Sequence, residues 1–595
     1  MSSVGSQSSL SPVEGDYTGL TRAGLPAKNA SLKTAGDETV AKTDKSAKRK
    51  SSQVKLVPPT AELRERLRDV CVTSARQLRT ASGLTQDALE TVAKQALSDA
   101  GETDRYLGWM MVVLASEFWR DQVAAVPYAR RLLLLPETLG NGACVTSLRA
   151  RSERLGYRVL FAEQTSAVLQ TILGGEVDAI VGTAGMDVLE KALDKILLVG
   201  VPCMAVPLLS EGDAAVIDED RLTDMIEAQA AASASGGRTY VHLLRTASRM
   251  FEADELEKLV PRVRGRRHND LNAAALDPIA GTEAIAFDFL TRGGKHSRPF
   301  ITLAVFDALT GGRGASVDGA SWTADLSPAI LRTAMSIETF HKASLVHDDI
   351  EDDDQFRYGE PTLHRKYGVP TAINVGDYLI GLGYRLVSRE AKTIGAETAA
   401  DILDRLADAH LKLAEGQGAE LLWRDSRDKH LTPDDALRIY ALKTSPAFEA
   451  ALFSGIRLAG PIEPYADAVS GFAKHLGTAF QILNDLKDWR GDDDNKLLAA
   501  GDVAGGRPTV LWALSLEGST DADRARLRTL STGHVDESVV REIRTLYERA
   551  GVFAKADALI ADERRRAEEI AGGLPTPELR ALFGDLIESV LAEKR

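Results

Sequence analysis

The sequence predicts a multi-domain protein in which an α/β domain precedes an all-α domain. Short apolar runs alternate with helical segments as far as about residue 225, a pattern typical of a mostly parallel sheet covered by helices. Beyond residue 271, amphipathic helical periodicity continues without strand alternation. We therefore expect a disordered tail (1–55), a three-layer-like α/β domain (56–225), a helical linker (226–270) and an all-α domain (271–595).

The composition is that of a globular protein that does not bind nucleic acid. Hydrophobic residues make up 44% of the chain and charged residues 27%, both ordinary values. A formal net charge of −14 would repel polyphosphate. Cys71, Cys144 and Cys203 match no disulfide or zinc spacing, and the first twenty residues lack the apolar core of a secretory signal. These features favour a cytoplasmic protein, and no apolar run is long enough to span a membrane.

The elements of the first half follow from local composition. The tail is rich in Ser, Thr, Gly and Lys and has too little apolar surface to offset the entropy of ordering. A helical pattern runs from Pro59 to Val126. Strands are predicted at RLLLLP (131–136), YRVLFA (157–162), DAIVGT (178–183) and VPCMAVPLL (201–209). The segment AQAAASASGG (228–237) is typical of a linker or a frayed helix.

Two acidic clusters with the same spacing follow apolar helical runs in the second half. One is Asp348-Asp349-x-x-Asp352, and the other is Asn484-Asp485-x-x-Asp488. Residues four apart share a helix face, so each cluster presents its oxygens in one direction. Carboxylates are the ligands that Mg²⁺ takes, and Mg²⁺ keeps positions open for substrate phosphates. Either cluster alone is also typical of a solvated helix end; the pair predicts a site for metal ions and a diphosphate.

The second half also contains basic residues that could bind a second anionic group. TRGGKHSRPF (291–300) supplies Lys295 and Arg298 after a glycine pair. The further candidates are Arg357, Lys443, Lys496 and Arg507. Any one of them, taken alone, is typical of a charged side chain on the solvated surface.

In chain order the second half contains GGKHSRP (293–299), a histidine seven residues before the first aspartate, HDDIED (347–352), RYGEPTLH (357–364), NVGDYL (374–379), EGQGAE (415–420), KT (443–444) and AFQILNDLKD (479–488). Together these motifs resemble the trans-isoprenyl diphosphate synthase (polyprenyl synthetase) family. The resemblance covers residues 284–514 closely. It implies an isoprenoid synthase fold, a helical bundle around a central cavity, and a magnesium-dependent trans-prenyltransferase that forms a homodimer.

The resemblance also implies a role for individual residues. Two or three Mg²⁺ ions would be held by Asp348, Asp349, Asp352, Asn484, Asp485 and Asp488. Isopentenyl diphosphate would bind to Lys295, Arg298 and His341. The diphosphate of the allylic substrate would bind to Arg357, Lys443, Lys496 and Arg507. Catalysis would use Asp348, Asp349, Asp352 and Lys443, with Thr444 and Gln481 turning oxygen dipoles toward the allylic cation.

Two positions depart from the family pattern. Asn484 stands where the family usually has aspartate, so this ligand would bring an oxygen but no charge. Tyr358 stands where a second arginine usually helps to hold isopentenyl diphosphate. Two alternatives therefore stay open: a class I terpene cyclase, which needs no second diphosphate, and a non-catalytic partner subunit. The retained Lys295, Arg298 and His341 favour the elongating enzyme.

Product length is expected from the residues that precede the first aspartate. Ala343 and Ser344, about one helical turn away, are small, whereas Phe340 lies about one turn further. One turn of ~5.4 Å approximates one isoprene unit. On this basis we expect a product of about 20 to 25 carbons, directed to membranes, with Phe340 as the floor of the cavity.

The first half resembles a bacterial and archaeal domain of unknown function (number 116). The motifs that carry this resemblance are YLGWMMVVLASEFW (106–119), RLLLLPETLGNGAC (131–144), LGYRVLFAEQTS (155–166), DAIVGTAGMDVLEKAL (178–193) and VGVPCMAVPLLSEGD (199–213). That domain is usually rich in cysteine, but Gly185 and Asp213 stand here where cysteines would be expected. No iron–sulfur cluster is therefore expected. A structural or dimer-supporting role and a ligand site near Gly182 at the sheet edge both stay open.

Overall fold

The computed structural model describes residues 56–78, 84, 86–140, 142–161, 171–172, 175, 177–199, 201–211, 214–229, 238–263, 277–316, 319–426, 429–490, 502, 506–531 and 536–591. The predicted disordered tail, Lys496 and Asp213 lie outside these described residues.

The first half contains helices and short strands in alternation. Its helices are α1 (Ala61–Leu78), α2 (Gln86–Asp99), α3 (Leu107–Ala125), α4 (Ala143–Leu155), α5 (Met186–Val199) and α6 (Glu219–Glu227). Its strands are β1 (Arg131–Leu135), β2 (Arg158–Phe161), β3 (Ala179–Ala184), β4 (Cys203–Pro207), β5 (Leu209–Glu211) and β6 (Ala214–Val216).

Strands β1 to β4 form one sheet in the order β2-β1-β3-β4, and all three neighbouring pairs are parallel. The prediction of a parallel sheet is therefore confirmed, whereas the three-layer arrangement stays a prediction. β3 is central and buried along its whole length, as expected for an apolar strand between two neighbours. Ser116 of α3 links that helix to β4, because its Oγ accepts a 3.0 Å hydrogen bond from the backbone N–H of Ala205.

In the second half, the described residues form helices and one small hairpin. Its helices are α7 (Val241–Arg249), α8 (Ala253–Leu259), α9 (Gly281–Thr291), α10 (Ser297–Leu309), α11 (Gly319–Ala324), α12 (Pro328–Glu351), α13 (Leu363–Tyr367), α14 (Val369–Ser388), α15 (Ala391–Ile394), α16 (Ala396–Asp425), α17 (Pro433–Lys443), α18 (Ser445–Ala459), α19 (Ala466–Arg490), α20 (Val510–Gly518), α21 (Asp521–Ser531), α22 (Glu537–Arg549), α23 (Val552–Gly572) and α24 (Pro577–Leu591). The hairpin pairs β7 (Phe356–Arg357) with β8 (Glu360–Pro361).

The helical core is built around α12, which packs closely along α14. Two glycines of α14 make this approach possible. A Cβ at Gly376 would lie 2.3 Å from the His347 ring, and one at Gly383 would lie 2.8 Å from the Phe340 ring. A side chain at either position would clash with these rings. The two glycines therefore allow α12 and α14 to approach each other closely.

Helices α7 and α8 lie within the residues predicted as a linker, and they contribute to the core of the helical part. Leu243, Ala247 and Met250 belong to the same buried cluster as the residues of α10 and α12. Val241 belongs instead to the buried cluster of the α/β part. Helix α7 therefore lies at the boundary between the two cores. The domain boundary near residue 271 stays a prediction.

Among the described helices, none combines the length and the apolarity needed to cross a membrane.

The cysteines are free thiols, and Cys71 and Cys203 are buried. The sulfur of Cys71 lies 3.6 Å from the sulfur of Met110. Burial raises the pKa of both thiols, to about 12 for Cys203. The expectation that no iron–sulfur cluster is bound stays a prediction.

Candidate functional site

Helix α12 carries the first acidic cluster at its C-terminal end. The helix starts where Ser327 caps it, with its Oγ accepting a hydrogen bond from the N–H of Ile330, and Pro328 occupies the first turn. Asp348 and Asp349 lie in its last turn. Negative charge at a helix C-terminus is unfavourable, because it adds to the negative end of the helix dipole. The cluster therefore needs neighbouring cations.

Arg357 supplies one of these cations. Its Nε lies 2.8 Å from Oδ1 of Asp349, and Nη2 contacts the same oxygen. It also reaches Asp354 at 3.2 Å. Burial raises the pKa of Asp349, and the Arg357 hydrogen bonds oppose that rise. Asp349 is only 1% exposed, and its Oδ2 is buried without a hydrogen-bond partner. This second oxygen keeps an acceptor capacity that no described group uses.

Asp352 and Asp348 are half-buried at the same helix end. Asp352 is held between two guanidinium groups, at 2.9 Å from Nη1 of Arg424 and 3.1 Å from Nη2 of Arg507. Burial raises the pKa of Asp348 to about 7, and the ammonium of Lys443 opposes this shift. The crowded carboxylates at this helix end thus need positive charge close by.

The second acidic cluster lies in the last two turns of α19. Asp485 is 2% exposed, and its carboxylate accepts a hydrogen bond from the hydroxyl of Tyr440. That hydroxyl in turn accepts a 2.7 Å hydrogen bond from the N–H of Val510. Burial raises the pKa of Asp485 well above its usual range, and Asp502 raises it further. Asn484 is half-buried.

Arg507 connects the two acidic helix ends. It bonds Asp352 at 3.1 Å through Nη2 and Asp502 at 3.4 Å through Nη1. The backbone N–H of Asp502 donates to Oδ2 of Asp488 at 3.1 Å. Arg507 and Asp502 therefore link Asp352 of the first cluster to Asp488 of the second. The side chain of Arg507 is 43% exposed, so an anion from solvent can reach it.

A kink between α17 and α18 positions Lys443 and Thr444. Thr432 and Asp435 form a capping box that starts α17. Pro446 prevents the helix from continuing unbroken, and Thr444 takes φ −122° and ψ −47° at the junction. Lys443 then pairs with Glu420 of α16 at 2.5 Å.

Thr444 faces α19, where its Oγ1 lies 3.3 Å from Oε1 of Gln481. Two glycines let the neighbouring helices approach the kink. A Cβ at Gly416 would lie 2.9 Å from atoms of Lys443, and one at Gly477 would lie 2.6 Å from Oγ of Ser445. The predicted residues Lys443, Thr444 and Gln481 are therefore brought together by close packing at one junction.

Two of the predicted acceptor residues lie near each other at α12: Arg298 lies near Glu338, and His341 is a residue of the helix. Nη1 of Arg298 is 3.9 Å from Oε2 of Glu338, a buried oxygen that has no hydrogen-bond partner. Burial lowers the pKa of His341 well below its usual range, and the nearby cations Arg298 and Lys342 lower it further. His341 is therefore neutral at physiological pH. Lys295 is exposed.

Lys342 is a residue of this region that the sequence analysis missed. It is fully buried, and its ammonium donates to the carbonyl of Arg292 and, at 2.8 Å, to that of Gly293. It also lies 4.1 Å from the centre of the Tyr358 ring. Burial lowers its pKa to about 8. Tyr358 thus packs against a buried cation at the position where the family pattern has arginine.

Four other residues of the site had no predicted role, and each pairs with a predicted residue: Arg424, Glu420, Tyr440 and Asp502. Arg424, Tyr440 and Asp502 belong to none of the motifs, whereas Glu420 ends the EGQGAE motif. A lysine inside the apolar run AILRTAMSIETFHKASLVH was the one signal that could have indicated Lys342.

The residues predicted to set product length occupy different environments. Phe340 packs edge-on against Tyr384 at 4.7 Å and lies 5.9 Å from the His410 ring. Ser344 lies between Phe340 and Asp348 on one helix face, and its hydroxyl donates to the carbonyl of His341 at 2.9 Å. Ala343 is buried in the main helical core.

The acidic clusters have the chemistry of a magnesium site. Among the residues that the structure describes, no three His, Cys, Asp or Glu side chains converge as a ready metal cage. Mg²⁺ usually binds through one or two carboxylates together with substrate phosphates, so no such cage is needed. The buried, unpartnered Oδ2 of Asp349 is an oxygen of the required kind.

Comparisons with known proteins identify the family to which the chain belongs. A family model described as polyprenyl synthetase matches residues 282–549. The short chain isoprenyl diphosphate synthase of Methanothermobacter thermautotrophicus is 30% identical over 303 residues, which are 51% of this chain and 87% of that protein. The chain belongs to the polyprenyl synthetase family. The nonaprenyl diphosphate synthase of Mycobacterium tuberculosis is another relative, 32% identical over 295 residues, which are 49% of this chain and 80% of that protein.

Among solved structures, geranylgeranyl pyrophosphate synthetase from Pyrococcus horikoshii is 25% identical, covers 60% of this chain and 98% of that chain, and superposes with a TM-score of 0.49. The predictions of a polyprenyl synthetase and of a trans-prenyltransferase are confirmed. Synthases of this family are in general Mg²⁺-dependent. The names of its relatives range from short chain to nonaprenyl synthases, so family membership does not decide the product length.

Proposed function

We propose that this polyprenyl synthetase joins an allylic diphosphate to isopentenyl diphosphate, giving a longer linear trans-prenyl diphosphate and pyrophosphate. The observation that carries the proposal is the Arg507 bridge between the two acidic helix ends. Asp352 and Asp502 lie on the same guanidinium group, and Asp502 is bonded to Asp488. A diphosphate bound between the two acidic helix ends would contact both clusters at once.

The allylic diphosphate is held at the rim between the two clusters. Two or three Mg²⁺ ions would be held by Asp348, Asp349, Asp352, Asn484, Asp485 and Asp488. When bound, Mg²⁺ neutralises the charge that develops on the departing pyrophosphate. Three of the four predicted cations are paired with carboxylates here, Arg357 with Asp349, Lys443 with Glu420 and Arg507 with Asp352. Each of them can exchange its carboxylate for a diphosphate oxygen, and Lys496 completes the set.

Isopentenyl diphosphate is held by Lys295, Arg298 and His341. Arg298 and His341 lie beside the face of α12 that also carries Glu338 and Lys342. The neutral imidazole of His341 can donate one hydrogen bond to the diphosphate without the cost of burying a further charge. The cations that remain at this site favour the condensing enzyme over a terpene cyclase.

The condensation breaks one bond and forms another. The allylic C–O bond breaks, and its electron pair leaves with pyrophosphate. The double bond of isopentenyl diphosphate then attacks the allylic carbon, and the new C–C bond is followed by loss of a proton to the released pyrophosphate. Thr444 and Gln481 direct oxygen dipoles at the positive charge between these steps. Holding both substrates together supplies much of the rate enhancement.

We expect a product of about 20 to 25 carbons, because Phe340 with Tyr384 lies about two helical turns from Asp348 and each turn of ~5.4 Å matches about one isoprene unit. The enzyme is expected to work as a cytoplasmic homodimer whose product goes to membranes. Light scattering of the purified protein tests the dimer.

Product analysis tests the function. The full-length protein is incubated with geranyl or farnesyl diphosphate, with and without isopentenyl diphosphate and Mg²⁺. Linear products should need both additions. Asp348→Asn and Asp485→Asn should each lower turnover by at least about 100-fold, by analogy with the loss of one charge-stabilising group. Asp562→Asn, on the exposed side of α23, is the control and should leave turnover unchanged.

Other outcomes would contradict the proposal. A cyclic hydrocarbon formed without isopentenyl diphosphate would identify a terpene cyclase. Absence of any turnover by the purified protein, with activity restored by a second subunit, would identify a non-catalytic partner.

A further inference from the structure

Helix α7 is bound to the α/β part through one arginine. Nε of Arg245 donates to the carbonyl of Ile172 at 2.8 Å, and Nη1 donates to Oδ1 of Asp178 at 2.6 Å. Nη2 bonds the carbonyl of Val177. The side chain of Arg245 is 12% exposed. A guanidinium that uses three nitrogens on a neighbouring segment fixes both position and orientation.

Asp178 is itself fixed to the sheet. It immediately precedes β3, and its Oδ1 also accepts a 3.0 Å hydrogen bond from Nη2 of Arg130 just before β1. The two arginines hold the pKa of Asp178 below its ordinary value in spite of burial. The first turns of α7 are thus tied to the amino ends of two central strands.

The other end of α7 reaches the GGKHSRP loop. Oγ of Ser248 lies 3.2 Å from Nδ1 of His296. The ring of Phe251, which follows the helix, stacks on the His296 ring at 4.7 Å with an angle of 4° between the planes. In addition, Tyr240, which precedes α7, packs edge-on against Phe300 of α10 at 5.9 Å.

The loop has a backbone that needs such support. Gly293, Gly294 and His296 have φ values of +35°, +120° and +45°. The left-handed region is unfavourable for a residue with a Cβ, so the conformation of His296 persists only if its surroundings hold it. Lys295 and Arg298 flank this histidine. A small change at His296 would therefore move both cations that the acceptor diphosphate needs.

We propose that the α/β part serves the condensation by holding, through Arg245 and helix α7, the loop that presents Lys295 and Arg298 to isopentenyl diphosphate. This inference rests on the proposed function. Arg245, Ser248 and His296 are positioning residues: they do not touch the substrate. The proposal also gives a physical reason why the two parts occur in one chain.

The test measures the two substrates separately. Arg245→Met keeps the length of the side chain but removes all three donors. We expect the KM for isopentenyl diphosphate to rise about tenfold, the value that corresponds to about 1.4 kcal/mol. The KM for the allylic diphosphate should change less than about twofold. Arg245→Lys, which keeps one donor group, should restore part of the loss.

Arg151→Met is the matched control, because Arg151 forms an exposed ion pair with Glu227 within the α/β part. Binding of each diphosphate in the presence of Mg²⁺, measured by calorimetry, gives the same comparison without turnover. Equal affinities of wild type and Arg245→Met for isopentenyl diphosphate would overturn the inference. Loss of both affinities together would also overturn it, since it would indicate general unfolding of the site.

Ser248→Ala supplies a second, milder variant that removes the hydrogen bond to His296 without touching the α/β part. It should raise the same KM in the same direction. If the wild-type protein binds neither diphosphate, the proposed function itself fails, a result distinct from an unchanged affinity in a working enzyme.

Discussion

Arg507 and Asp352 are in contact at 3.1 Å although 155 residues separate them in the chain. This ion pair joins the end of α12 to the segment that follows α19. Opposite charges draw the two acidic helix ends together before any diphosphate arrives. The same contact leaves Arg507 partly exposed, ready to turn toward an anion.

Replacing Arg507 should weaken binding of the allylic substrate. Arg507→Gln removes the positive charge at the rim, and we expect the KM for the allylic diphosphate to rise about tenfold, or about 1.4 kcal/mol. Steady-state kinetics with varied allylic diphosphate measure this. Arg526→Gln, which breaks an exposed pair with Glu542, is the control. An unchanged KM would show that Arg507 only neutralises the charge of the neighbouring carboxylates and does not bind the allylic substrate.

Lys342 should matter for stability as well as for the acceptor. Lys342→Met retains the stem of the side chain but leaves the carbonyls of Arg292 and Gly293 without a donor. The two hydrogen bonds to the charged ammonium contribute about 1.5–3 kcal/mol each, but an apolar substitute removes the desolvation cost of a buried charge. We therefore expect the free energy of unfolding to fall by roughly 2–3 kcal/mol. Denaturant titration measures this, and the KM for isopentenyl diphosphate should rise.

Lys366→Met is the control for that variant. Lys366 also lies over a tyrosine ring, that of Tyr367 at 5.3 Å, but on the surface. Its loss should change the free energy of unfolding by less than about 0.5 kcal/mol. Equal effects of the two substitutions would contradict a special role for the buried ammonium.

His296 should make stability depend on pH. Burial lowers its pKa from 6.5 to about 4, and the charge of Lys342 adds to the effect. Below pH 6.5 the unfolded chain takes up a proton that the folded chain does not, so stability falls as the pH falls toward 4. His296→Asn tolerates the left-handed conformation and does not titrate. The variant should therefore lose less stability than the wild type between these pH values.

That comparison uses urea unfolding at several pH values. At about 1.4 kcal/mol per pKa unit, the difference between the two proteins should reach at most about 3 kcal/mol. Parallel curves across this range would mean that His296 is protonated equally in both states.

Phe340 should limit the length of the product. Phe340→Ala removes the ring that packs on Tyr384 and His410, so a growing chain could pass further along α12. Chromatography coupled to mass spectrometry should find products longer by at least one isoprene unit. Phe118→Ala in the α/β part is the control. Phe340 is assigned as the floor of the cavity because it lies about two turns of ~5.4 Å from the first aspartate. A wild-type product that stops at about 15 carbons would contradict this assignment.

Much of the architecture could be predicted from local patterns. The four predicted apolar runs coincide with β1 to β4, since a buried parallel strand is recognisable as a short run of apolar residues. The two acidic clusters were identified from spacing alone, because helix geometry places residues four apart on one face. The small hairpin at Phe356–Arg357 was missed, as two-residue strands have no periodicity.

The pairing of charges could not be predicted in this way. Arg357, Lys443 and Arg507 were expected to face a diphosphate, and in the structure each faces a carboxylate. Which acid a given cation meets depends on how helices pack, and glycines such as Gly416 and Gly477 decide that packing by allowing close approach. The positions of Lys342 and Arg424 in the site also depend on how the helices pack.

The order of residues along the chain was sufficient to indicate the helical class, the parallel sheet and the acidic motifs, because these depend on short-range periodicity. Only the tertiary structure decided that α7 joins the two halves and that one arginine joins the two acidic helix ends. Both contacts connect residues far apart in the chain, and their energies depend on distance and burial, which no local pattern contains.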